Sequence, residues 1–260
     1  MISADRTRSP VGHGHAQHDT RAADVETASD AYATRFEGPV GRWLLDVQER
    51  GVEALLRPQV RGALSVLEVG GGHGQLTSAL LAAGHRVCVH GSHGSCHDRL
   101  RKRGVTVDFV TSSLWQLPFA EHSFDLVVAI RLLAHVEDCP SLLAELARVS
   151  RGLVLLDFPV RGAAHRMAPW LFRAKRAVEG NTRPYFDYPV SEVEQALDGV
   201  GLRVLGVHRQ LAFPMALHRA LKRPGLSRRL ESAADRIGLT GAVGSPVLIL
   251  AGHSDPKPSH

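Results

Sequence analysis

The sequence predicts an α/β fold in which helices cover both faces of a doubly wound, mostly parallel sheet of seven strands. Short apolar runs alternate with amphipathic helical patterns along most of the chain, and this order of elements is typical of a parallel sheet. The runs are almost continuously apolar, as expected of strands that are buried on both faces. A glycine-rich corner joins the first run to a helix, at the place where such sheets bind ligands.

The first predicted elements are a long helix and two strands with a helix between them. Residues 31–56 have helical periodicity. The two strands are the apolar runs ALSVLEV at 63–69 and HRVCVH at 85–90. Between them we predict a helix over 75–83. Gly84 ends this helix, because glycine readily takes the left-handed conformation that follows a last helical turn.

The middle of the chain repeats the same alternation. A short helix is predicted at 96–103, and SLLAELARVS at 141–150 has its apolar residues at helical spacing. Either Asp138 or Ser141 is suited to cap that second helix, since both side chains can accept a backbone hydrogen bond. Three further strands are predicted at 105–110, 124–130 and 152–158.

The last part of the chain completes the sheet. Strands are predicted at 202–208 and 245–253. Ser191, with Glu194 three residues later, predicts a capping box at the start of the preceding helix. Residues 214–238 contain two amphipathic helical pieces, which form a helical insertion between the two strands.

Length and composition indicate one main domain. The chain has 260 residues of which 44% are hydrophobic, enough for a single sizeable core. We assign the domain to 28–253, a disordered polar tail to 1–27 and a loose C-terminus to 254–260.

Composition also argues against several classes of protein. No apolar run reaches the roughly 18 residues of a membrane helix. Cys88, Cys96 and Cys139 have neither a disulfide nor a zinc spacing, so we expect a reduced, cytoplasmic protein without a metal site. The net charge of +5 is concentrated near 214–238, but aromatic residues are only 5%. We therefore expect no nucleic-acid partner, and contact of this basic segment with a membrane surface is the less favoured alternative to a solvated helix face.

The stretch VLEVGGGHGQL at 66–76 is the strongest functional signal, because four of the five residues 70–74 are glycine. A strand that turns directly into a helix leaves unpaired backbone N–H groups that bind anions, and glycine lets a ligand approach closely. The spacing from Glu68 is E-x-G-x-G-x-G, whereas Gln75 stands where the dinucleotide fingerprint has its third glycine. We interpret the corner as a ligand site that does not suit a dinucleotide; a tight structural turn is the alternative.

With two more segments, this stretch resembles the class I S-adenosylmethionine-dependent methyltransferases, in particular the small-molecule, ubiquinone/menaquinone-type group. One segment, LWQLPFAEHSFDLVVAIRLLAHVEDCPSLLAELARV, contains LPF at 117–119 and SFD at 123–125. The other is YPVSEVEQALDGVGLRV, before the sixth strand. The resemblance covers about 31–252. It implies a Rossmann-like fold, S-adenosyl-L-methionine as cofactor, and transfer of the sulfonium methyl group to the O, N or C atom of a small molecule.

The resemblance also implies which residues surround the cofactor. The glycine amides approach its methionine part and ribose, with Glu68 near the amino end. Ser113 and Leu114 edge the adenine, and Arg131 contacts the cofactor carboxylate or an anionic acceptor. The residues implied at the cofactor are Glu68, Gly70, Gly71, Gly72, Gly74, Gly91, Ser92, Ser113, Leu114 and Arg131.

Two positions depart from the family pattern. The second strand of the family usually ends in an acid that accepts both ribose hydroxyls, but no carboxylate stands between His85 and Asp98, and Gly91 occupies the aligned position. Ser113 replaces an Asp that is frequent at the adenine. Ser92, like any serine, can accept a hydrogen bond but cannot form a bidentate charged pair. The alternative function is therefore a catalytically silent methyltransferase-like domain that binds a ligand or a partner protein.

Methyl transfer is an in-line displacement, so it needs alignment more than acid–base chemistry. A base is required only if the acceptor must lose a proton. After the fourth strand, His135 is the candidate base, and Asp157 at the end of the fifth is a candidate to orient either His135 or an acceptor hydroxyl. Packing within the domain is the alternative for His135, and a loop hydrogen bond for Asp157. Residues 160–190, with Tyr188 among their aromatic and basic side chains, are expected to form a lid over an acceptor with an aromatic or lipid-like body.

Overall fold

The computed structural model describes residues 23–27, 29–71, 74, 76–161 and 186–254, and these build one seven-stranded sheet. In chain order the strands are β1 (Ser65–Val69), β2 (Arg86–Gly91), β3 (Asp108–Thr111), β4 (Phe124–Ala129), β5 (Ser150–Phe158), β6 (Leu202–Arg209) and β7 (Val247–His253). In space their order is β3-β2-β1-β4-β5-β7-β6. The predicted α/β fold is confirmed.

The sheet is mostly parallel, and its topology creates a crevice at the carboxyl ends of β1 and β4. β7 is antiparallel to β5 and β6, whereas the other neighbouring pairs are parallel. Val66 lies opposite Leu126, which confirms that β1 and β4 are neighbouring parallel strands. The chain leaves one edge at β3 and returns on the other side of β1 as β4. Open α/β sheets bind ligands where the strand order reverses in this way.

Helices cover both faces of the sheet, because alternate strand residues point to opposite sides. The α-helices are α1 (Ala23–Thr27), α2 (Asp30–Ala33), α3 (Gly38–Leu56), α4 (Thr77–Ala82), α5 (Ser95–Lys102), α6 (Cys139–Val149), α7 (Val190–Gly199), α8 (Met215–Leu221), α9 (Pro224–Arg236) and α10 (Leu239–Val243). Leu67 and Val127 pack against α6 and α7, and Val66 and Leu126 pack against α3, α4 and α5.

The helix ends agree with the sequence at one cap and differ at another. Asp138 caps α6 by accepting a hydrogen bond from the Ser141 N–H at 3.1 Å. The capping box predicted at Ser191 is wrong. α7 begins one residue earlier, after Pro189, and it has no side-chain cap. Proline fixes the extended backbone that enters this helix, so the serine lies inside the first turn.

The N-terminal boundary also differs from the expectation. The disordered tail was expected to run to residue 27, but Ala23–Thr27 form α1, and the side chain of Ala23 is buried in the core. Residues 1–22 lie outside the described residues. So do 162–185, most of the expected lid, and 255–260, nearly all of the expected C-terminal end.

The helical insertion lies between β6 and β7 and packs against α3. The ring of His218 in α8 meets Trp43 of α3 edge-on, with 4.9 Å between centroids. Glu231 of α9 accepts hydrogen bonds from the backbone N–H groups of Ala212 and Phe213 and contacts the His218 imidazole at 2.8 Å. None of the helices in the described part of the chain is long and apolar enough to cross a membrane.

The LPF and SFD residues stabilise the fold. Asp125 accepts hydrogen bonds from the N–H and hydroxyl groups of Ser65, at 2.9 and 2.7 Å, and from Arg151. Arg148 donates to the carbonyl oxygens of Leu117 and Phe119 at 3.0 and 2.8 Å. These bonds fix the start of β1 and the loop before β4, so this motif positions the sheet rather than a ligand.

Candidate active site

The glycine corner leaves the end of β1 without side chains. Gly70 and Gly74 have φ of +67° and +57°, in the region that favours glycine. A Cβ on Gly71 would lie 2.7 Å from Cγ of Glu68, and one on Gly70 would lie 3.2 Å from Leu132. The glycines at 70, 71 and 74 are therefore required by the backbone and by close neighbours. Gly72 lies outside the described residues.

Glu68 lies beneath this corner. Its side chain is 3% exposed, and Oε2 accepts a hydrogen bond from the Thr77 hydroxyl at 2.6 Å. Burial raises the pKa of Glu68 to about 7, although the bond from Thr77 opposes the rise. The carboxyl group therefore links the end of β1 to the first turn of α4, which fixes the geometry of the corner from below.

The end of β2 carries the residues that were aligned with the missing acid. A Cβ on Gly91 would lie 2.7 Å from Cβ of Cys96 and 2.8 Å from the ring of Phe109, so the packing between β2, α5 and β3 excludes any side chain at this position. Ser92 follows, and its N–H donates to Asp24 of α1 at 2.7 Å. A carboxylate thus reaches the end of β2 from α1, where the sequence indicated none.

The expected adenine edge lies after β3. The Leu114 side chain is fully buried in the core, so only its backbone is available to a ligand. Ser113 is exposed, and its hydroxyl accepts a hydrogen bond from the Trp115 N–H at 3.2 Å. Trp115 is half-buried and packs against the core. The adenine contacts of Ser113 and Leu114 stay predictions.

Arg131, Asp157 and Gln48 form a buried network at the ends of β4 and β5. The backbone N–H of Arg131 donates to Oδ1 of Asp157 at 2.5 Å. The Gln48 amide bridges the two side chains: it accepts from Nη2 of Arg131 at 3.3 Å and donates to Oδ2 of Asp157 at 3.1 Å. Burial raises the pKa of Asp157 to about 6, against the opposing effect of the Arg131 N–H and guanidinium. The two oxygens of Asp157 thus hold Arg131 and Gln48, whereas the sequence indicated His135 or an acceptor hydroxyl as its partner.

Arg131 is held in an unusual position. It has φ of +61°, uncommon for a residue with a side chain, and such outliers concentrate at functional sites. Its guanidinium carbon lies 3.7 Å from the centre of the Phe36 ring, a cation–π contact. Nη1 is buried and has no hydrogen-bond partner among the described residues. A buried donor without a partner is costly, so this atom is suited to an anionic group of a ligand.

His135 ends a short 3-10 helix, Leu133–His135, just after β4. Its side chain is half-buried, and its backbone N–H donates to the carbonyl of Leu132 at 3.0 Å. This places the residue beyond Arg131 on the ligand side of the sheet. Its role as a base stays a prediction.

Tyr188 is not available to an acceptor. It is 6% exposed, and its hydroxyl donates to the carbonyl of Val136 at 2.5 Å. Residues 162–185 of the expected lid lie outside the described residues.

Sequence reasoning missed Asp24 and Gln48. Gln48 left a signal, because it stands in the buried stripe Leu44, Gln48, Val52 of α3, where a polar residue must find a partner. Asp24 left none, since it belongs to a polar stretch with no helical pattern.

Comparison with known proteins finds a family model that matches the segment around this site. Residues 67–155 match the family model described as methyltransferase domain. The matched segment runs from β1 to β5 and includes the glycine corner, the end of β2 and Arg131.

Relatives and solved structures agree with this match. Methyltransferase GfsG of Streptomyces halstedii is 34% identical over 137 residues, which are 48% of this chain and 49% of that protein. An uncharacterized methyltransferase of Mycolicibacterium gilvum (strain PYR-GCK) is 32% identical over 150 residues, 53% of this chain and 57% of that protein. The chain thus spans about half the length of the curated relatives it matches.

The magnesium protoporphyrin IX methyltransferase ChlM of Synechocystis PCC 6803, solved with bound SAH, shares the fold. The TM-score is 0.62 at 14% identity, over 91% of this chain and 100% of that one. The ubiquinone/menaquinone-type subgroup stays a prediction. Residues 67–155 thus match a methyltransferase domain, and the seven-stranded sheet has the fold of a solved methyltransferase.

Proposed function

We propose that this protein transfers a methyl group from S-adenosyl-L-methionine to a small-molecule acceptor. One observation carries the proposal: the glycine corner ends β1 beside the point where strand order reverses, inside the segment that matches the methyltransferase domain. Ligands of open α/β sheets bind at such points. The activity is thus inferred from this site and from the matched domain.

The residues at the corner fit the cofactor. Gly70 and Gly71 carry no side chain at the end of β1, and the neighbours that a Cβ there would meet include Asp24 and Glu68, so the backbone of the corner lies beside two acids that suit the polar groups of a ligand. Glu68 would lie near the ammonium group and fix the loop. Nη1 of Arg131, which has no partner among the described residues, would meet a carboxylate, either of the cofactor or of the acceptor. When bound, the cofactor would supply an electrophilic methyl group on its sulfonium.

The chain's own contribution is alignment. Asp157 and Gln48 hold Arg131 from two directions, and Phe36 covers its guanidinium, so an anion bound there would have one orientation. Fixed orientation is the main source of rate in an in-line displacement. His135, just beyond on the same edge, is suited to remove a proton when the acceptor atom carries one.

For the acceptor, we infer a small molecule with an anionic group and an aromatic or otherwise apolar body. The support is the pairing of a buried guanidinium with the Phe36 ring at the crevice. An apolar surface around a single charged donor is typical of a small-molecule site.

The test is calorimetric titration of the full chain with S-adenosylmethionine and S-adenosylhomocysteine. The designed variant is Gly70→Val, which adds a side chain pointing towards Leu132 and Asp24. Gly62→Val is the control, since a Cβ there would meet nothing within 4 Å. We expect micromolar binding to the wild type and to Gly62→Val, and none to a folded Gly70→Val protein.

The second candidate is the catalytically silent domain. The absence of an acid at Gly91, where packing leaves no room for one, favours it. A folded wild-type protein that binds neither S-adenosylmethionine nor S-adenosylhomocysteine would contradict the methyltransferase proposal and support this alternative.

A further inference from the structure

A carboxylate lies where β2 has none of its own. Asp24 is 68 positions before Ser92, yet it accepts a hydrogen bond from the Ser92 N–H at 2.7 Å and another from the Ser92 hydroxyl. Asp24 is 0% exposed. The end of β2 thus receives an acid from the N-terminal helix α1.

The position of this acid relates it to the cofactor crevice. Val69 lies opposite His90, so Gly70 and Gly91 follow side by side at the ends of β1 and β2. A Cβ on Gly70 would lie 3.3 Å from Cβ of Asp24. Asp24 therefore lies directly over the glycine corner, between the two strand ends.

The described neighbours of Asp24 include hydrogen-bond donors but no cation that would compensate its buried charge. Besides Ser92, it is contacted by the thiol of Cys96 at 3.6 Å, and no cation of the described residues lies within ion-pair distance. A buried carboxylate without a cation is expensive. Its two oxygens offer about four acceptor positions, so it can accept further hydroxyl groups once the Ser92 hydroxyl rotates away.

The segment that holds Asp24 is anchored against the domain. Ala23 is buried in the core, and the Thr27 hydroxyl donates to the Asp24 carbonyl at 3.0 Å. Beyond α1, Asp30 bonds Lys102 of α5 at 2.7 Å. The carboxylate is thus presented from a fixed helix rather than from a free tail.

We propose that Asp24 binds the ribose hydroxyls of the cofactor, in place of the acid that β2 lacks, and that Ser92 orients it. The inference rests on the proposed function. It assigns to α1 a specificity-determining residue outside the segment that matches the methyltransferase domain.

The test pairs a protein change with a ligand change. S-adenosylhomocysteine and its analogue without the ribose 2′-hydroxyl are titrated into wild type, Asp24→Asn and the control Asp198→Asn, whose carboxylate is exposed on α7. Removing a hydrogen bond to a charged group lowers affinity by about ten- to hundredfold. We expect that loss for Asp24→Asn with the full ligand, and little further loss with the deoxy analogue. Wild type and Asp198→Asn should discriminate the two ligands.

A rescue variant separates binding from folding. Asp24→Ala combined with Ser92→Asp moves the acid to the end of β2, and it should recover affinity and discrimination that Asp24→Ala alone loses. Equal binding by wild type and Asp24→Asn, with discrimination retained, would overturn the inference and leave the proposed function intact. Tighter binding by Asp24→Asn would also overturn it, because the carboxylate would then compete with the ligand. A wild type that binds neither ligand would remove the proposed function itself.

Discussion

The side-chain amide of Gln48 donates to Oδ2 of Asp157 at 3.1 Å, although 109 positions separate the two residues. One comes from the middle of α3 and the other from the end of β5. Because the same amide also accepts from Arg131, α3 is part of the candidate site as well as a cover for the sheet. Both side chains are almost fully buried, so water cannot easily replace the bond.

Removing this amide should destabilise the protein. Gln48→Ala leaves Oδ2 of Asp157 and Nη2 of Arg131 without their partner, and buried charged groups in that condition cost about 2–4 kcal/mol. Urea unfolding measures the change. Gln59→Ala, in the exposed turn after α3, should stay within about 0.5 kcal/mol of the wild type. Equal stabilities for the two variants would contradict a structural role for the network.

A methyl group at Gly71 should disturb the corner. Its Cβ would lie 2.7 Å from Glu68 and 2.9 Å from Val89, and overpacking of this kind costs about 1–3 kcal/mol. Gly71→Ala should therefore lower the free energy of unfolding and weaken S-adenosylhomocysteine binding. Gly62→Ala has free space for its Cβ and should change neither. A Gly71→Ala protein with wild-type stability would show that Glu68 can move aside.

Glu68 should make stability depend on pH above the usual carboxylate range. Burial raises its pKa from 4.5 to about 7, so the folded state keeps a proton that the unfolded chain has lost. The contribution of Glu68 to the free energy of unfolding is complete below about pH 4.5. It falls as the pH rises to about 7, by roughly 3 kcal/mol for a fully buried group.

Glu68→Gln is neutral at every pH and should remove this slope. The measurement is urea unfolding at pH 5 and pH 8, with Glu121→Gln, an exposed acid, as the control. The difference between the two pH values should shrink in Glu68→Gln and persist in the control. An unchanged slope in Glu68→Gln would mean that the carboxyl group is ionised in the folded protein.

Asp125 should act in the opposite direction and at lower pH. Its bonds from the Ser65 hydroxyl and N–H, and from Arg151, lower its pKa from 3.8 to about 2. Its contribution is present above about pH 4 and is lost as the pH falls towards 2. Asp125→Asn should cost about 1–2 kcal/mol at pH 7, since the site is partly solvated.

The gap between Asp125→Asn and wild type should narrow in urea unfolding below pH 4. Asp198→Asn, with its exposed side chain, should track the wild type at every pH. A gap that is constant down to pH 3 would assign the loss to packing at the start of β1 rather than to the charge.

The sequence by itself determined the elements of the fold and the place of the ligand crevice. The local spacing of apolar residues predicts the strands and helices, because a strand buried on both faces has a continuous apolar run whereas a half-buried helix has apolar residues at intervals of three or four. The glycine corner is also determined locally. Gly70 needs glycine because its φ is +67°, and Gly71 needs it because a Cβ there would meet Glu68, three residues earlier. The same residues lie in the segment that matches the methyltransferase domain.

Tertiary structure alone decided how the site is completed. Asp24 meets Ser92 across 68 positions, and Gln48 meets Asp157 across 109, and no local pattern encodes such separations. The sequence showed that β2 lacks an acid, but the lack of space beside Gly91 and the carboxylate from α1 follow from how α1, α5 and β3 pack together. A hydrogen bond depends on the final distance between two groups, and that distance is set only when the whole chain has folded.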